Sequence, residues 1–202
     1  MALAADQGFA LVLSQAAILR GWALAEQGQG EAGIAQIHQG LNAIQATGAE
    51  FVRTYFLALL AEAYGKRGQA EEGLTVLAEA LGVVDKNEER FYEAELYRLK
   101  GELTLQKFQV ASSKFQVADS RSLTPEPQAE AEACFQKAME IAQRQQAKSL
   151  ELRAVMSLAK LWQRQGKPKE AHQMLSEVYA WFTEGFDTKD LQEAKALLDE
   201  LS

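Results

Sequence analysis

One stretch of this 202-residue chain carries a chemical fingerprint, Gly28-Gln-Gly-Glu-Ala-Gly33. It has the GxGxxG spacing that lets backbone amides approach a dinucleotide pyrophosphate. That chemistry needs a strand before the first glycine and a βαβ unit around it. Here a long helical pattern precedes Gly28, and Gly68-Gln-Ala-Glu-Glu-Gly73 and Gly166-Lys-Pro-Lys-Glu-Ala171 repeat the arrangement. The glycines therefore read as a recurring turn. The two histidines, His38 and His172, lie too many residues apart to suggest a shared metal site. Cys134 has no histidine near it in sequence and reads as a buried structural thiol. There is no phosphate-loop GxxxxGKS/T, no HExxH and no pair of CxxC. The expectation is a protein that is not an enzyme, with no catalytic residues, no cofactor and no metal site.

The elements behind such turns follow from composition. Val, Ile and Thr total 21 residues, too few for a large sheet, whereas Ala alone accounts for 34. Three prolines leave little to interrupt helices. The net charge of −7 argues against nucleic acid as a partner, because phosphate binding needs a basic face. A lone cysteine permits no intrachain disulfide, which fits a reducing cytoplasm. No basic segment opens the chain as a signal peptide does, and no apolar run reaches the ~20 residues of a membrane helix. A cytoplasmic, all-α protein with no membrane partner is expected.

The strongest signal is internal repetition. Leu19–Leu41 aligns with Leu59–Leu81 at a constant offset of 40. A small residue recurs in the first helix of each unit at Gly21, Ala61, Gly101 and Ala159. The turn glycine recurs at Gly28, Gly68 and Gly166, and a second small residue at Gly33, Gly73, Ala131 and Ala171. The small positions recur in steps of 40 or 58, so four helical hairpins are present and one holds an 18-residue insertion. Small residues at fixed places let paired helices approach, and the glycine closes the first helix with a left-handed residue. A hairpin that cannot bury its own apolar face stacks on its neighbours.

These landmarks, with Tyr64 or Trp162 three residues after the small position and Leu77 or Leu175 in the second helix, resemble the tetratricopeptide repeat (TPR) family. The departure is the period, 40 against the family's usual ~34 residues. The resemblance implies a right-handed α-solenoid of four TPR-like hairpins forming a single domain over 1–202. The repeats span about 10–46, 50–86, 89–145 with the insertion at 107–124, and 148–183, and a capping helix covers 187–201.

Helices are expected near 5–27, 30–46, 50–67, 70–85, 89–106, 126–145, 148–165, 168–183 and 188–201. Asp187 reads as the N-cap of the last helix, with Asp190 completing an imperfect capping box. Its apolar stripe, Leu191, Ala194, Leu197, Leu198 and Leu201, should seal the array. At the other end Phe9, Leu11, Val12 and Leu13 add apolar bulk that either points inward or is covered by a partner or a second copy. In the insertion Lys107-Phe-Gln-Val-Ala-Ser-Ser is followed by Lys114-Phe-Gln-Val-Ala-Asp-Ser, and Thr124 reads as the cap of the next helix. The duplication reads as a tolerated surface loop, with a recognition loop as the alternative.

If the small residues face the partner helix, a binding groove lies six and three residues before each and one and five after. The rows are Gln15, Ile18, Trp22 and Glu26; Tyr55, Ala58, Glu62 and Lys66; Glu95, Arg98, Glu102 and Gln106; and Arg153, Met156, Lys160 and Arg164. Candidate binding residues are Trp22, Glu26, Tyr55, Glu62, Lys66, Arg98, Glu102, Arg153, Lys160 and Arg164. Residues 137–169 carry net charge +6 and residues 170–202 carry −6, a contrast that could orient a charged peptide. Trp22 and Tyr55 could instead stack on a sugar or base.

Four segments, Glu93–Leu103, Glu130–Ala138, Ser149–Ala154 and Trp181–Leu191, resemble the C-terminal repeats of large bacterial signalling proteins that carry a nucleotide cyclase or DNA-binding module and a predicted ATPase. That resemblance implies a protein-interaction scaffold or regulatory piece of such a protein, with a protein or peptide partner. The alternatives are a small-molecule-sensing domain and a homo-oligomerisation module acting through the N-terminal helix.

Overall fold

A computed structural model describes residues 9–49, 52–114 and 125–202. Among them are nine α-helices and no strand: α1 (Ala10–Glu26), α2 (Gly30–Ala46), α3 (Arg53–Lys66), α4 (Ala70–Asn87), α5 (Glu93–Lys114), α6 (Pro125–Arg144), α7 (Lys148–Arg164), α8 (Pro168–Tyr179) and α9 (Lys189–Leu201). The chain divides into two compact units, Met1–Tyr92 and Glu93–Ser202.

In the first unit α1 pairs with α2 and α3 with α4, and α3 also touches α1 and α2. The small residues make the first seam. A Cβ added to Gly21 would stand 2.7 Å from the Gly33 carbonyl oxygen, and one on Gly33 would stand 2.5 Å from the Gly21 oxygen. The two backbones are thus in contact, with buried Ile37 against Gly21 and buried Ile18 against Gly40.

In the second unit α5 pairs with α6 and α7 with α8, and α9 lies against α7 and α8. Ala159 and Ala171 are fully buried together with Leu152, Val155 and Leu175. The capping helix adds Leu191, Ala194, Leu197 and Leu201 to this cluster, with Leu198 partly buried beside them. The third hairpin uses its glycine differently: a Cβ on Gly101 would lie 2.5 Å from the Phe135 ring, so the gap admits an aromatic side chain.

The turns repeat in atomic detail. Gly28, Gly68 and Gly166 have φ of +83°, +79° and +78°. In each turn the following residue donates to the carbonyl five back (Gln29 to Leu24, Gln69 to Tyr64 and Lys167 to Trp162, all 2.9 Å), and the glycine donates to the carbonyl three back. This double closure satisfies the last carbonyls of the first helix. The α6–α7 turn closes in the same way through Ala147 and Gln146, although Gln146 is no glycine and holds φ of +55°.

Several helix ends differ from the sequence reading. The fifth helix starts at Glu93 rather than 89, because the left-handed Glu88 ends α4 and the Glu89 carboxylate accepts from Thr54 N–H (3.1 Å) and Oγ1 (2.5 Å) at the start of α3. The same helix runs on to Lys114, eight residues into the expected insertion, since no glycine or proline stops it there. Helix α8 ends at Tyr179 rather than 183, in a tightened turn where Phe182 N–H donates to the Tyr179 carbonyl at 3.1 Å. Thr188, not Asp187, precedes α9, and its hydroxyl donates to the Gly185 carbonyl (2.7 Å) rather than capping the helix. The rest of the duplication beyond Lys114, and Thr124, lie outside the described residues.

Gly33→Ala should cost about 1–3 kcal/mol, because the new methyl group meets backbone. Gln146→Gly should gain about 0.5–1 kcal/mol by relieving a left-handed non-glycine residue. Urea denaturation of the two variants beside the parent chain checks both signs.

Candidate functional site on the first helices

Within each unit, equivalent positions on the two first helices come side by side. In the first unit Trp22 Nε1 donates to Glu62 Oε2 at 2.8 Å, exactly one 40-residue step away. Lys66 pairs with Glu26, again 40 residues apart, and reaches Glu62 at 3.6 Å. Tyr55 packs edge-on against Tyr92, with ring centroids 5.0 Å apart. Trp22 and Tyr55, the two aromatics that the sequence offered for stacking on a ligand, are thus half-buried and already engaged. Ile18, Ala58 and Met156, which the spacing assigned to the groove, belong to the core instead. Their apolar side chains gain more from burial than from a wet face.

The second unit carries an alternating chain of charges. Arg98 clasps buried Glu95 through two bonds, Nε to Oε2 at 2.9 Å and Nη2 to Oε1 at 2.8 Å. It also reaches Glu102 at 2.5 Å, and Ser157 Oγ donates to the same Glu102 oxygen at 2.9 Å. Arg153 lies 3.6 Å from Glu95, its equivalent 58 residues earlier, and binds Asp190 at 2.7 Å through Nε. Asp190 therefore ties the first turn of α9 to α7 instead of completing a capping box. A bidentate arginine on a buried carboxylate compensates much of the desolvation that an isolated charge would suffer.

Lys160 and Arg164 behave differently. They stand one turn apart on α7, exposed, with no ion-pair partner among the described residues. Gln106, the α5 residue equivalent to Arg164, is half-buried. Of the ten candidate residues, the first unit brings together Trp22, Glu26, Glu62 and Lys66, and the second brings together Arg98, Glu102 and Arg153. Sequence spacing missed Ser157 and Asp190 as members of the charge chain. Ser157 is visible in retrospect as a hydroxyl between apolar residues of α7, whereas nothing local marks Asp190.

The other chemical groups are accounted for structurally. His38 Nε2 lies 2.9 Å from the Tyr64 hydroxyl. Burial pushes the Tyr64 hydroxyl above its ordinary range, and the Glu72 charge adds to this. Cys134 is buried, and burial raises its thiol, with Lys100 opposing and Glu130 reinforcing. Among the described residues no three potential metal ligands meet, and no helix is long and apolar enough to cross a membrane.

Against known proteins, two crystal structures from Podosopora anserina match in fold. Both are of a protein described as a "putative kinesin light chain" with "nearly identical TPR-like repeats", and one is a point variant. The variant aligns at 15% identity with TM-score 0.63, and the other at 17% with 0.61; each alignment covers 93% of this chain and 84% of the other. The fold is that of TPR-like repeat proteins. No protein-family model and no curated protein matches the sequence.

Arg98→Ala should cost about 3 kcal/mol by stripping buried Glu95 of its clasp, whereas K160E/R164E should stay within about 0.5 kcal/mol of the parent chain. Paired denaturation curves test the contrast. Cys134 should react with a soluble disulfide reagent at least about 100-fold faster after unfolding in urea than in the native protein.

Proposed function

We propose that the chain is a non-catalytic protein-interaction scaffold that holds an extended acidic peptide on the α7 face of its second unit. One observation carries this reading: Arg98 and Arg153 are held by carboxylates of their own unit, while Lys160 and Arg164 are exposed with no ion-pair partner among the described residues. Two such cations about 6 Å apart along a helix suit successive carboxylates of a strand-like peptide. Their exposure favours a role in steering and selecting the partner. The TPR-like fold supports a scaffold in general. The sequence resemblance to bacterial signalling proteins supports a cytoplasmic regulatory setting beside a cyclase or ATPase.

A second reading has its own observation. Phe9, Val12 and Leu19 are 56%, 51% and 44% exposed and lie along one side of α1. A stripe of that kind favours self-association through the N-terminal helix.

Fluorescence anisotropy with labelled ten-residue acidic peptides tests the first reading. Binding should weaken at least about tenfold in K160E/R164E, a difference of about 1.4 kcal/mol. Equal binding of peptides whose acids are replaced by Asn and Gln would sink it. For the second reading, V12E/L19E should return to a monomer any assembly that persists in high salt, as read by sedimentation.

A further inference from the structure

The second unit carries, at its other end, a surface that fits this cationic face. The segment between α8 and α9 holds two large aromatics in the open, Trp181 at 58% exposure and Phe186 at 48%. Trp181 is braced edge-on by Phe182 at 5.2 Å, and Phe186 by Tyr179 at 6.0 Å. Gly185, at φ +76°, and the Thr188 hydroxyl bond to its carbonyl fix the turn between them. Glu184 and Asp187 flank the aromatics, both exposed and without an ion-pair partner among the described residues.

The two surfaces stand at opposite ends of one hairpin. Lys148, the first residue of α7, lies with Nζ 5.9 Å from the Trp181 ring centroid. Lys160 and Arg164 follow 12 and 16 residues later, about 18 and 24 Å further along the helix. A molecule therefore cannot lay its own 180–188 segment on its own cations, although a second molecule can. The charges of the two patches are opposite, Lys160 and Arg164 on one against Glu184 and Asp187 on the other. Exposed aromatic faces also offer a seat for an arginine.

We infer that the acidic–aromatic segment 180–188 of one copy docks on the Lys160–Arg164 face of a second copy. This rests on the reading of that face as an acidic-peptide site and names its occupant. The contact joins two different patches, so it is head-to-tail and propagates unless it closes into a ring.

Sedimentation velocity of the full chain from about 10 to 200 µM, in about 25 mM and 500 mM NaCl, tests it. At low salt the mean mass should rise with concentration past that of a dimer, and at high salt it should return to the monomer. K160E/R164E and W181A/E184Q/D187N should each remain monomeric and keep the parent chain's helix content by circular dichroism, since all five positions are exposed. Mixed one to one they should form a two-chain species and nothing larger, because each variant keeps one working patch. A parent chain that stays monomeric at low salt overturns the inference, as does assembly indifferent to salt or to K160E/R164E. If the anisotropy assay still finds acidic peptides on a monomeric chain, the peptide reading stands and the self-pairing alone falls.

Discussion

Two helical backbones in direct contact set the terms for the first unit. The carbonyl oxygens of Gly21 and Gly33 occupy the space that side-chain carbons would need on the opposite helix. Interiors this tightly filled do not deform gradually. The crossing therefore fixes how far apart α1 and α2 lie, and the next hairpin adds its own α3 beside α1. With the spacing set in this way, the hydrogen bond from Trp22 to Glu62 and the pairing of Glu26 with Lys66 are register contacts. Each joins residues one full repeat apart.

The same logic accounts for the electrostatics of the second unit. Glu95 and Arg153 occupy equivalent positions on α5 and α7, and they meet. Glu95 is buried, so its charge requires close partners, and Arg98 supplies the main one. Asp190 then extends the chain to the capping helix, so a helix that seals the core by apolar contact is also tied in place by an ion pair. Most cations of the first-helix face thus serve cohesion. Lys160 and Arg164, towards the C-terminal end of α7, are exposed and have no ion-pair partner among the described residues.

The repeat was legible in the sequence because its landmarks are steric necessities. Only a residue without a large side chain fits at Gly21 or Ala159, and glycine is favoured where φ is near +80° at Gly68. The helix ends were less legible, because distant partners decide them. Glu89 leaves the expected helix to bond Thr54, and Asp190 leaves its expected box to bond Arg153. The α6–α7 turn shows the converse, a left-handed closure with glutamine where a glycine signal was absent. In the candidate site, residues one repeat step apart meet at Trp22–Glu62, Glu26–Lys66 and Glu95–Arg153. Spacing could not separate a cation consumed by its own unit, such as Arg98, from an exposed one with no ion-pair partner among the described residues, such as Lys160, because that depends on which carboxylates arrive in space.

Helix α5 has 22 residues where the first helices α3 and α7 have 14 and 17. Its backbone runs about 13 Å past Leu105, the last buried residue of the helix among those described. The packing landmarks on either side, Gly101 and Ala131, stay in phase with the other hairpins despite the longer step between them. Length at this place is decoupled from the stacking rhythm, which makes it the natural address for grafting an epitope or a fluorescent domain without disturbing the scaffold.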